Sequence, residues 1–191
     1  MDNLIKSVYK YDLSGNDVEY LTRGKSKVIL YDNIKPSDNI IDLIGPTNQV
    51  LLLFPTQEGS PDGHWLSITY NELTKTIRHW DSYGLSPTAE IQYSNNKLVK
   101  QNILGKLYAK AQLQGYKFEY NTHKLQIMSP GNNQCGRWSS LRNRFAYLST
   151  DQFAKLFLNQ KETPDYLSTI LTFLSLAGDQ RNESAILEQL S

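Results

Sequence analysis

The 191 residues read as an α+β domain, and three observations carry that reading. Val50-Leu51-Leu52-Leu53-Phe54, closed by Pro55, is a continuous apolar run of strand length and suits a central strand covered on both faces. Leu66 to Tyr70 and Lys75 to Asp81 are two further strand-like runs that face each other across a polar turn at Asn71 to Thr74. After Cys135 the period changes: large apolar residues fall at Trp138, Leu141, Phe145 and Leu148, the spacing of one helical face.

From the N-terminus, Ser14 caps a short helix that ends near Arg23, with Leu13 and Val18 as the hydrophobic staple across its start and Gly24 as its stop. Val28 to Tyr31 is a brief β-rich run. Ser37 caps a second short helix, whose Ile40, Ile41, Leu43 and Ile44 precede Gly45. After the strand at 50–54, a loop from Thr56 to Gly63 rich in Gly, Pro and Ser delivers the chain to His64-Trp65 and the hairpin. A two-residue turn at Glu72-Leu73 sets Asn71 opposite Thr74 and, counting outward, His64 directly opposite Asp81. Such neighbours have Cβ atoms about 4.5–5.5 Å apart, within reach of a carboxylate-imidazole hydrogen bond. Alternation puts both on the inward face, with Leu66, Ile68 and Ile77.

Ser86 as cap and Pro87 at the first helical position open another short helix. One longer helix spans about Asn96 to Gln114, with Val99, Ile103 and Leu107 as its core face, Leu104, Tyr108 and Ala111 beside them, and Gly115 as its stop. Tyr116 to Tyr120 alternates as a strand, and a polar, glycine-bearing stretch from Asn121 to Gln134 leads into the Cys135 helix. Ser149 and Gln152 form a capping box for the next helix. Thr163-Pro164 opens the last strong one, through Leu176 to Gly178, and Asp179 to Ser191 reads as a frayed helical tail. Without an internal repeat, linker or low-complexity segment, residues 1–191 are expected to form a single domain.

The formal charge of +1, from 20 basic and 19 acidic residues, supplies no global attraction to nucleic acid or to an anionic membrane. The single cysteine excludes an intramolecular disulfide framework and fits a reducing compartment. No run approaches the roughly 20 apolar residues that span a bilayer, and the opening Met1 to Lys6 lacks the build of a signal peptide. The expectation is an intracellular protein without a membrane partner. One cysteine with three scattered histidines does not make a zinc site, and no glycine-rich phosphate cradle is present, so neither metal nor cofactor is expected.

What remains is a trio in the order His64, Asp81, Cys135. A thiol at a helix N-terminus is biased toward thiolate. An imidazole takes its proton, and a carboxylate fixes the imidazole's tautomer and orientation. Singly, a lone cysteine is more often a small buried hydrophobe, His64 more often the start of an exposed strand and Asp81 the start of a turn. The combination points to nucleophilic catalysis.

Gly63-His64-Trp65, the strand-turn-strand to Trp80-Asp81-Ser82-Tyr83-Gly84, and Gln134-Cys135-Gly136-Arg137-Trp138 resemble the adenovirus maturation protease and its relatives in virophages and virus-like transposons. The SUMO-specific proteases belong to the same superfamily. The order His, acid, Cys is its mark, whereas papain-like enzymes place Cys first. The resemblance covers roughly Ser14 to Leu148, and the Asp-Ser-Tyr-Gly and Cys-Gly-Arg-Trp strings are similar to the viral branch. It implies a mixed sheet carrying His64 and Asp81, packed on a central helix that begins at Cys135. It further implies cleavage of capsid or other virion proteins after small residues such as glycine, through a narrow cleft beside Trp65. The place of action would be the host cytoplasm and the virion. One departure concerns the oxyanion-stabilising glutamine, which the family places about six or seven residues before the cysteine. Here those positions hold Ser129 and Met128. Gln126 and Gln134 are the available replacements, and Gln126 is preferred because the loop through Pro130 and Gly131 can fold back on the cysteine. Two other activities would use the same trio: a ubiquitin- or SUMO-like isopeptidase and an acetyltransferase.

Overall fold

The structure, a computed structural model, describes residues 8, 9, 11–57 and 63–176. Met1 to Lys6, most of the loop before Gly63, the stop at Gly178 and the tail from Asp179 lie outside the described residues. Five strands form one mixed sheet in sequential order: β1 (Lys27–Leu30), β2 (Gln49–Pro55), β3 (Gly63–Asn71), β4 (Thr76–Trp80) and β5 (Lys117–Tyr120). The β1/β2 and β4/β5 pairs are parallel, and β2/β3 and β3/β4 are antiparallel. The helices are α1 (Gly15–Leu21), α2 (Ile40–Ile44), α3 (Pro87–Glu90), α4 (Lys97–Lys100), α5 (Ile103–Leu113), α6 (Cys135–Arg144), α7 (Thr150–Leu158) and α8 (Pro164–Leu176).

Alternation along the strands divides the core between the two sheet faces. Val50, Leu52, Phe54, Leu66, Ile68 and Ile77 pack on one side with residues of α2 and α5. On the other side Leu51 and Trp65 meet Leu13 and, from α1, Val18 and Leu21, while Trp80 joins Trp138, Phe153 and Phe157. Edge-on aromatic pairs, with Trp138 and Phe157 centroids 4.8 Å apart and Trp80 and Phe153 4.9 Å apart, fill the space among β4, α6 and α7.

Local sequence signals account for most ends. Ser14 and Asp17 close a capping box at α1, as Ser149 and Gln152 do at α7, and Ser86 caps α3 ahead of Pro87. Three expectations need correction. Asn39, and not Ser37, caps α2, because its carboxamide reaches the Ile41 N–H at 2.8 Å. The long helix from Asn96 is two helices. Asn96 caps α4, and Asn102 then adopts φ 52°, a left-handed conformation that asparagine tolerates and that ends one helix before the next begins. The hairpin turn also holds four residues, 72–75. Asn71 Oδ1 accepts from the Thr74 N–H, and Lys75 turns the chain with φ 52°. Asn71 therefore pairs with Thr76 and Ser67 with Trp80. This register slips by two residues from the expected one. A slip of two keeps every side chain on its face.

Candidate active site

The slip sets Asp81 one step past the end of β4, diagonal to His64 instead of directly across from it. The two side chains still meet, with His64 Nε2 2.7 Å from Asp81 Oδ1. The turn after β4 closes this gap. Asp81 Oδ1 accepts from the Tyr83 N–H at 2.9 Å and Oδ2 from the Leu85 N–H at 3.1 Å, so the chain wraps around its own carboxylate. Gly84 permits this with φ 73°, at a point where a Cβ would come within 3.0 Å of the His123 backbone. From behind, Asn121 Nδ2 donates to the Asp81 carbonyl at 2.6 Å. The Tyr83 ring stacks on His64 at 4.9 Å and 21°, which fixes the imidazole plane. Asp81, Tyr83 and Gly84 of the Asp-Ser-Tyr-Gly string thus each have a physical task.

Cys135 opens α6, whose start no side chain caps. Its thiol stands beside the His64 side chain, and Nδ1 is the ring nitrogen that Asp81 leaves free to face it. Trp65 faces the opposite side of the sheet from His64 and covers the helix start. Its Nε1 donates to the Leu13 carbonyl at 3.1 Å, and its own carbonyl accepts from Ser139 Oγ at 2.8 Å. A Cβ at position 136 would lie 3.1 Å from Leu13 Cβ and 3.2 Å from Trp65 Cδ1, so glycine after the cysteine lets the helix lie this close.

Burial alone would raise the Cys135 thiol. The adjacent His64 charge and hydrogen bond, with the Trp65 and Gly136 N–H groups, outweigh it and hold the thiol below its ordinary value of 9.0. Burial alone would lower His64, but Asp81 first and Cys135 second hold it well above 6.5. Burial likewise pushes the fully enclosed Asp81 up, and His64 with the Tyr83 N–H brings it below 3.8. All three directions favour a thiolate-imidazolium pair backed by an ionised carboxylate. The other two histidines also meet carboxylates, His79 with Glu90 at 2.7 Å and His123 with Asp151 at 3.0 Å. Of the three, His64 is the one beside the thiol. Among the described residues no three His, Cys, Asp or Glu side chains gather as a metal site, and no helix is long and apolar enough to cross a membrane.

The preference for Gln126 as oxyanion donor is corrected by its contacts. Gln126 Nε2 donates to Tyr83 Oη at 3.0 Å and to the Asn132 carbonyl at 2.8 Å, while Oε1 accepts from Ser82 Oγ at 2.7 Å. The amide is spent tying the Asp81 turn to the loop that precedes Cys135. Gln134 points away as well: its Nε2 donates to the Tyr9 carbonyl at 2.8 Å, and Oε1 accepts from Thr169 at 3.1 Å. Tyr83 is the site residue that residue-by-residue reading missed. The signal was present in the Asp-Ser-Tyr-Gly string, where the tyrosine stands two residues after the acid.

A mixed sheet that carries a His-Asp pair and packs on a helix begun by cysteine defines an α+β fold shared with known cysteine proteases. The ASFV pS273R protease superposes with a TM-score of 0.52 and 13% identity, over 85% of this chain and 67% of that one. The C-terminal Ulp1 protease domain, solved in complex with Smt3, the yeast ortholog of SUMO, superposes with a TM-score of 0.45 and 13% identity over 91% of this chain and 80% of that one. In sequence, the chain is 29% identical over 176 residues to "Uncharacterized protein V9" of Sputnik virophage, covering 88% of this chain and 98% of that protein. No protein-family model matches the chain.

Proposed function

We propose that the chain is a cysteine endopeptidase that matures virion proteins, cutting after small residues such as glycine. The observation that carries this reading is the single imidazole held between a buried carboxylate at 2.7 Å and a thiol at a helix start. His64 Nδ1 takes the thiol proton, and Sγ bonds to the scissile carbonyl carbon while the C=O electron pair moves onto oxygen. On collapse the C–N bond breaks, His64 returns its proton to the departing amine, and water then hydrolyses the thioester. Trp65 and Leu13 line the cleft beside Gly136 and Cys135, and the preference for small residues follows the resemblance to the viral maturation proteases. The relative encoded by a virophage is what favours a viral substrate over a host one.

The test is incubation of the purified protein with the capsid proteins of the genome that encodes it, followed by mass spectrometry of new termini. Wild type is expected to generate termini that follow small residues. Cys135→Ala, folded by circular dichroism, is expected to generate none, and His64→Ala almost none. Cleavage by a folded Cys135→Ala protein close to wild type would end the cysteine-protease reading. Capture by a probe ending in a ubiquitin or SUMO C-terminus, with capsid proteins left intact, would replace it with an isopeptidase.

A further inference from the structure

Cys135 lies on a saddle between two clefts of about 260 and 600 Å³. His64 and Tyr83 belong to the smaller one, Trp65 and Leu13 to the larger, and only Gly63, Asn133 and Cys135 line both. A substrate that occupies both clefts must cross those three residues with its scissile bond over Sγ. Gly63 can offer only backbone there, since even a Cβ would come within 2.5 Å of the Phe54 carbonyl. The one polar side chain on the saddle besides the thiol is that of Asn133.

Attack by Sγ creates a negative oxygen that needs donors, and a free N–H aimed into a water-poor cleft stabilises it better than solvent does. Between positions 126 and 134 four side chains carry an amide: Gln126, Asn132, Asn133 and Gln134. The Gln126 amide is committed to Tyr83 and to Asn132. Asn132 also borders the smaller cleft, but its Nδ2 donates to the Ile127 carbonyl at 2.7 Å and to Asp165 Oδ2 at 2.8 Å. Gln134 is fully buried and bonded to Tyr9. The Asn133 carboxamide makes no hydrogen bond among the described residues and stays partly exposed to the clefts, while its backbone carbonyl is held by Arg137 at 3.3 Å. The main chain is thus anchored and the amide left available.

We infer that Asn133 is the side-chain oxyanion donor, acting with the backbone N–H of Cys135. This rests on the proposed proteolytic reading and assigns to position 133 the role expected at Gln126. A peptide carbonyl crossing the saddle receives one hydrogen bond from Nδ2 as its oxygen becomes anionic.

The test compares two reactions of the same thiol. Acylation by p-nitrophenyl acetate forms the Sγ–C bond through a tetrahedral oxyanion and expels p-nitrophenolate. Alkylation by iodoacetamide forms an Sγ–C bond by displacing iodide, with no oxyanion. Asn133→Ala is expected to slow acylation by roughly 10²- to 10³-fold and leave alkylation unchanged, with Asn133→Gln recovering part of the loss. Acylation at the wild-type rate in Asn133→Ala would overturn the assignment. So would an equal fall in both reactions, which would place Asn133 in thiolate stabilisation. A wild-type thiol that accepts iodoacetamide but no acyl group would instead overturn the proteolytic reading, and the assignment with it.

Discussion

A carboxylate enclosed by protein stays ionised only if hydrogen bonds replace its water, and Asp81 receives them from His64, Tyr83 and Leu85. Two of these come from its own turn, so its orientation is settled before His64 arrives. Asp81→Asn keeps the shape, but its NH2 group faces either the imidazole or a backbone N–H that needs an acceptor. The expected outcome is a turnover loss approaching the roughly 10⁴-fold seen for the analogous triad change, with the fold retained by circular dichroism. Turnover within a few-fold of wild type would reduce Asp81 to a structural residue. That His64 and Asp81 share a face was legible from alternation, because a register slip of two moves no side chain to the other face, whereas their meeting across the diagonal depends on the turn after β4. The Tyr83 stack was not legible in that way, since it depends on the path of a turn. The Asn71 side chain that lengthens the hairpin loop was visible as a residue, but its bond to the Thr74 N–H was not.

At the scale of elements, α6 shows how little of a buried helix apolar periodicity detects. Trp138, Leu141, Phe145 and Leu148 are the face that pattern finds, yet every residue from Gly136 to Asn143 is buried. The remaining faces are buried through polar groups. Asn143 bonds Ser67, Ser26 and the Val50 carbonyl, Ser139 bonds Trp65, and Arg142 bonds the carbonyls of Phe145 and Leu148 near the helix end. Such residues read as solvent-facing in a sequence because nothing in it names their partners. Glycine at the second position of the helix is equally constrained. Gly136→Ala presses a methyl onto Leu13 and Trp65, both held by packing or a hydrogen bond, and is expected to cost about 1–3 kcal/mol by urea denaturation. It should also slow the reaction of Cys135 by displacing the Trp65 cover. Unchanged stability would mean that Leu13 and the N-terminal helix move aside freely.

Across the whole molecule, the region after Leu148 carries no motif, yet it holds the site together. Asp165, at the start of α8 and 2% exposed, accepts from the Ile127 N–H at 3.1 Å, Asn132 Nδ2 at 2.8 Å and Trp138 Nε1 at 2.9 Å. One carboxylate thereby joins the last long helix, the loop before the cysteine and the cysteine helix. The sequence places Asp165 in a helical first turn, where an acid is expected for its own sake, so this wider role was hidden. Asp165→Ala removes an acceptor from three donors, of which Trp138 Nε1 and Asn132 Nδ2 are buried, and is expected to destabilise by about 2–4 kcal/mol in chemical denaturation, with turnover falling as the 126–134 loop loosens. Wild-type stability would contradict this account of the loop. The mixed sheet and the Cys135 helix were legible because strand runs and helical period are local; the division of the core between two faces emerged only from the pairing. The central claim is that His64 holds Cys135 as a thiolate, and the most direct measurement is the pH dependence of Cys135 alkylation by iodoacetamide in wild type and in His64→Ala. A depressed acid pKa keeps the thiolate present as pH falls below 9.0, until the lowered folded value is crossed. Wild type should therefore stay reactive below pH 9.0, and His64→Ala, which loses the charge that lowers the thiol most, should shift its midpoint upward. Superimposable profiles in the two proteins, with a midpoint near 9.0, would contradict the claim.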